Sequence, residues 1–177
     1  YNIISNLLLA AGTLSNINAG GSTTLTASGN TILNASVTGA SGTIYGIQAG
    51  TTQFTFNNNV IHDLSFTGTS GTTAAVIYGI YDLSSPTVEN ITNNQIYNLS
   101  IAGANTSTSN IIGGVYTWTT TSTKNFSGNV INGLSFTNSS TGTAAVSGII
   151  SQSGSTVSIF KNKIYNLSST TSKCVGA

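Results

Sequence analysis

Hydrophobic and polar positions along this chain recur in one short pattern: Asn, any residue, Ile, any residue, then Asn, Asp or Gly, then usually Leu. Six copies begin at Asn2, Asn30, Asn59, Asn94, Asn129 and Asn162. Their central isoleucines (Ile4, Ile32, Ile61, Ile96, Ile131, Ile164) are spaced by 28, 29, 35, 35 and 33 residues. A period of that size marks a solenoid, a propeller or an array. The residue ahead of the Leu position is Asn6, Asn34, Asp63, Asn98, Gly133 or Asn166. These residue types enter the left-handed region of backbone space most readily. The pattern thus predicts an extended Asn-x-Ile-x segment, one left-handed corner residue, and a second extended segment starting at the Leu. A parallel β-helix bends its wall in this way.

The other half of each period agrees. Three residues before the Asn sits Phe56, Ile91, Phe126 or Ile159, with Ala27 in the second copy. Further back, Gly is followed by Ile or Val at Gly46-Ile47, Gly79-Ile80, Gly114-Val115 and Gly148-Ile149. We expect three short strands per coil: one with the Gly-Ile pair, one ending in Asn-x-Ile, and one starting with Leu-Ser. Residues 1–177 then form a single all-β solenoid segment of about five to six coils of 28–35 residues. It is expected to belong to a longer protein or an end-to-end assembly, since no capping coil is visible in the sequence. The extra residues of the longer coils fall in Ser/Thr/Gly/Ala runs at 67–73, 102–110 and 137–142, which read as loops on one edge, where insertions cost little.

Stacked coils bring equivalent positions ~4.8 Å apart. Asn2, Asn30, Asn59, Asn94, Asn129 and Asn162 can then bond along the axis, each side-chain NH2 to the next carbonyl, as an internal ladder. They read as scaffold rather than as ligand-binding residues.

Composition narrows the function. Charged residues make up 4% of the chain, against roughly 25% in ordinary globular domains. There is no Arg, and the charges are Lys124, Lys161, Lys163, Lys173, Asp63, Asp82 and Glu89. A net charge of +1 offers no electrostatic footprint for nucleic acid, and no apolar run is long enough to span a membrane. The regularly placed apolar residues argue against disorder. Cys174 is alone, which excludes a disulfide framework within the chain.

Catalysis is not expected. Glycoside cleavage needs an acid together with a base or nucleophile. Asp63 is a corner residue, and Asp82 and Glu89, seven residues apart in one coil, have no evident partner in neighbouring coils. His62 lacks the second His or Cys of a metal site and reads as part of an outward stripe with Tyr97, Asn132 and Tyr165. We expect no catalytic residues, metal or cofactor. Candidate ligand-binding residues are Tyr81, Tyr116 and Trp118, because alternation from an inward Ile80 and Val115 turns them outward on adjacent coils. Exposed aromatics on a flat wall can stack on sugar rings or contact a protein partner. Threonine runs such as 119–123 raise ice binding, but they lack strict coil-to-coil stacking.

The motif in Asn94-Gln95-Ile96-Tyr97-Asn98-Leu99-Ser100 and Asn162-Lys163-Ile164-Tyr165-Asn166-Leu167-Ser168 resembles the repeat of large secreted surface proteins of Bacteroidetes-type bacteria. The resemblance covers nearly the whole chain and implies a right-handed parallel β-helix of the pectate-lyase-like superfamily. It also implies an extracellular or cell-surface location. Enzymes of that superfamily carry acidic and basic residues on the wall, and this chain lacks such a set. The expectation is a non-catalytic structural or adhesive β-helix: a stiff spacer, a filament subunit or a surface-layer component. Its expected partners are neighbouring β-helix segments or copies of itself, or a glycan or cell-surface protein. Nucleic acid and a membrane span are not expected.

Overall fold

A computed structural model describes residues 2–21, 23–39, 41–68, 72–118, 122–138 and 141–170. Cys174, Lys173 and part of the threonine run, at 119–121, lie outside the described residues, as do 69–71 and 139–140 in two of the edge loops.

Among the described residues, sixteen strands follow in chain order. The first six are β1 (Ile3–Leu9), β2 (Gly12–Gly20), β3 (Thr24–Ser28), β4 (Thr31–Val37), β5 (Gly42–Gly50) and β6 (Gln53–Asn57). They are followed by β7 (Val60–Phe66), β8 (Ala75–Asp82), β9 (Val88–Thr92), β10 (Gln95–Gly103) and β11 (Asn110–Trp118). The last five are β12 (Thr123–Ser127), β13 (Val130–Asn138), β14 (Ala144–Gln152), β15 (Thr156–Phe160) and β16 (Lys163–Ser169). Every third strand pairs in parallel, which builds three walls. The first wall is β1-β4-β7-β10-β13-β16, the second is β2-β5-β8-β11-β14, and the third is β3-β6-β9-β12-β15. The chain is a parallel β-solenoid, and its described residues contain no helix. The motif count overstates its height slightly. The sixth copy adds a described strand to the first wall only, so the five-stranded walls stack through four inter-coil steps.

Two corners differ from expectation. Asn-x-Ile and Leu-Ser do not form separate strands but share one first-wall strand, bent at the residue between them. Asn6, Asn34, Asp63, Asn98 and Asn166 have φ of 54–58°, and Gly133 has 65°. Pairing skips each of these residues and resumes on the same partner strand. The strand holding Phe56, Ile91 or Phe126 is a wall of its own and ends before the ladder Asn. A second left-handed residue turns that corner: Gly29, Asn58, Asn93, Gly128 or Lys161.

The core follows from the stacking. Ile32, Ile61, Ile96 and Ile131 of the first wall and Ile47, Ile80 and Val115 of the second have no exposed surface. Where the second wall bends, an added Cβ at Gly79 would lie 2.6 Å from Ile96 Cγ2 and 2.7 Å from the Gly114 carbonyl oxygen. Glycine is required here for close approach, not for an unusual φ. The edge loops join the first wall to the second, where the sequence places the extra residues.

The Asn ladder runs the full height. Asn2 Nδ2 donates to Asn30 Oδ1, and the relay continues through Asn59, Asn94, Asn129 and Asn162 at 2.9–3.0 Å per step. The side-chain amides of Asn59, Asn94 and Asn129 are fully used. Asn94 Oδ1 accepts from the backbone N–H and the Nδ2 of Asn59, while Asn94 Nδ2 donates to Asn129 Oδ1 and the Phe56 carbonyl. Left unpaired, such buried groups would cost a few kcal/mol each.

Candidate functional site

An aromatic patch lies on the outer face of the second wall. Tyr45 and Tyr78 are cross-strand partners, as are Tyr81 and Tyr116. Tyr45 and Tyr81 stack with ring centroids 4.3 Å apart, and Tyr78 lies 5.1 Å from Tyr81 and 5.0 Å from Tyr116. Tyr78 is 4% exposed and sits inside the cluster. Burial raises the phenol pKa of all four, and neighbouring tyrosines raise Tyr78 and Tyr81 further. At neutral pH the patch is therefore uncharged. Trp118, two residues beyond Tyr116 and opposite Gln152, is 51% exposed.

Of the three expected ligand-binding aromatics, Tyr81 and Tyr116 are brought together with partial exposure, and Trp118 stands at the open end of its strand. Tyr45 and Tyr78 were not anticipated. They precede the bend glycine, and alternation resets there: Gly79 and Ile80 are consecutive buried residues. Counting forward from the glycine passes over them.

On the first wall, His62 stacks on Tyr97 with centroids 4.6 Å apart, and its Nδ1 lies 2.7 Å from Asp63 Oδ2. On the outside, two pairs of corner side chains also bond, Asn34 Nδ2 donating to Asn6 Oδ1 at 3.4 Å and Asn98 Nδ2 to Asp63 Oδ1 at 3.1 Å.

A buried charged cluster corrects the expectation for Asp82 and Glu89. Glu89 has a direct cross-strand partner in the next coil, Lys124, and the Nζ–Oε1 distance is 3.7 Å with neither side chain exposed. Asp82 pairs across strands with Thr117, whose Oγ1 accepts from Lys124 Nζ at 2.9 Å. Asp82 Oδ1 accepts from the Ser84 backbone N–H at 2.9 Å and from the Ser84 hydroxyl, while its buried Oδ2 has no hydrogen-bond partner. Burial pushes the Asp82 carboxyl up to about 6; the Ser84 bonds oppose that shift, and Glu89 adds to it. Burial holds the Lys124 amine below its usual range, against the pull of Glu89 and Asp82. The offset from the motif carries this signal: Phe54, Glu89 and Lys124 each lie five residues before a ladder Asn.

At the same corner, Gly21, Gly50, Thr51 and Thr52 of the two preceding coils and Ser84 and Ser85 of the coil that holds Asp82 line an open hollow of about 420 Å³. Its walls hold hydroxyls and glycines. Among the described residues no group of three or more His, Cys, Asp or Glu could hold a metal ion, and no helix is long and apolar enough to cross a membrane. No family model, curated protein or solved structure matches the chain.

Proposed function

We propose that this chain is a stiff, non-catalytic structural or adhesive segment, a spacer, filament subunit or surface-layer component. The observation that carries this reading is the unbroken amide relay from Asn2 to Asn162, which ties every coil to the next inside three continuous parallel sheets. Placement outside a cell, in the manner of secreted Bacteroidetes-type pectate-lyase-like surface proteins, rests on the likeness of the Asn94 and Asn162 repeats to theirs. Its partners would be adjoining solenoid coils, from a longer chain or from further copies. The test is mechanical. Pulled from both ends, the chain should resist as one body and then unfold in discrete force events. Smooth extension at negligible force would rule out a load-bearing role.

A second reading is favoured by Trp118, which is half exposed beside a wall of tyrosines. In it the wall binds glycan by ring stacking. Titration with oligosaccharides, followed by the fluorescence of this sole tryptophan, separates the two. A saturable shift from a monomer supports glycan binding, and an unchanged spectrum leaves the aromatics as wall packing.

A further inference from the structure

Along the third wall, the inward column five residues ahead of the ladder reads Leu25, Phe54, Glu89, Lys124, Val157. A carboxyl and an amine thus occupy adjacent coils at positions that the flanking coils fill with hydrocarbon. Neither is exposed, and Oε1 stands 3.7 Å from Nζ. The amine is held in place from several sides. Thr117 Oγ1 accepts from it at 2.9 Å and the Gln152 carbonyl at 3.4 Å. Gly154 leaves room for the lysine stem, since a Cβ there would come within 3.3 Å of Lys124 Cε. Asp82, fully buried, sits across from Thr117.

As an ion pair this arrangement is a poor stabiliser. Removing both charges from water costs more than their attraction returns unless the geometry is excellent, and a second carboxyl in the same dry space adds unbalanced charge. Joining the two groups removes both charges and leaves one amide.

We infer that Lys124 and Glu89 condense into an intramolecular isopeptide bond that clamps β9 to β12, with Asp82 as the adjacent proton carrier. A proton passes from the ammonium to the Glu89 carboxylate, leaving a free amine and a carboxylic acid. Nζ attacks Cδ of Glu89, so that a C–N bond forms. Asp82 takes a proton from the nitrogen and returns one to the departing hydroxyl, and the C–O bond breaks with release of water. One ammonium and one carboxylate become one amide and one water, with no oxidant or cofactor. Burial favours the free amine at Lys124, and it brings Asp82, raised to about 6, close enough to neutral pH that its carboxylate can take up a proton and give it back.

The test is the intact mass of the purified, denatured chain. A mass lower than that of the sequence by one water is expected, with fragmentation joining the peptide of Glu89 to that of Lys124. Lys124→Met and Glu89→Leu should each restore the full mass, and Asp82→Asn should fold but close the bond slowly. If the first two variants fail to fold, the natural chain still decides. Folded protein at full sequence mass overturns the bond, a link from Lys124 to Asp82 overturns the choice of Glu89, and undiminished closure in Asp82→Asn overturns the proton-carrier role.

Discussion

Asn94 accepts twice from Asn59: its Oδ1 takes the backbone N–H and the side-chain N–H of that residue, each at 3.0 Å. The two asparagines are 35 residues apart in sequence, and this pair of bonds repeats at each buried step of the ladder. Asn94→Ala would strand both Asn59 donors and the Phe56 carbonyl in the interior. We expect a loss of about 3–5 kcal/mol, summing unsatisfied groups at ~1–3 kcal/mol each with partial relaxation. Asn2→Ala, at the exposed end of the ladder, should cost less than about 1 kcal/mol. Denaturant unfolding of the two variants checks the contrast.

The second-wall bend tolerates no added methyl. Gly79→Ala should destabilise by about 1–3 kcal/mol through overpacking. Trimming the neighbour in Gly79→Ala/Ile96→Ala should not rescue it, because the Gly114 carbonyl oxygen also stands 2.7 Å from the new carbon. Recovery in the double variant would show that the side chain alone sets the limit.

The left-handed corners give the opposite sign for glycine. Asn98→Ala should cost about 1 kcal/mol, because alanine lacks the short polar side chain that eases asparagine into the left-handed region at φ 55° and that here bonds to Asp63. Asn98→Gly should be close to neutral, since Gly133 already holds the next corner in the same conformation. Thermal melts of both variants decide.

Asp82 makes stability depend on pH in mild acid. Its folded pKa, about 6, is above the ordinary 3.8, so the folded chain binds the proton more tightly than the unfolded one. Its contribution is fully present below pH 3.8 and is lost as pH rises through 6, on the order of 1–2 kcal/mol in all. Asp82→Asn should flatten the stability profile in that window. A natural-chain profile that rises from pH 4 to 6, with the same slope in the variant, would contradict the assignment.

Much of this fold was legible because one residue type recurs at one offset. The ladder asparagines and the first-wall corners share side-chain chemistry from coil to coil, so the period exposes them. The third-wall corner was not legible. Lys161 occupies it in the last coil, and Asn58 and Asn93, each beside a ladder Asn, read as part of the motif. Tyr45 and Tyr78 were missed for a geometric reason, the phase reset at the bend glycine. Glu89 and Lys124 stand a whole coil apart in sequence, and only the inter-coil register, which the sequence does not spell out for isolated charges, makes them neighbours.

Native-state hydrogen exchange along the ladder tests the central claim most directly. The backbone amides of Asn30, Asn59, Asn94 and Asn129 donate into the next coil's side-chain carbonyl, as part of a body that opens only when coils separate. The amides of Asn59 and Asn94 should be among the slowest to exchange and should exchange together, with a free energy close to that of global unfolding. If they exchange as fast as the amides of the loop at 83–87, the amide relay does not hold the coils together, and the stiff-segment reading falls with it.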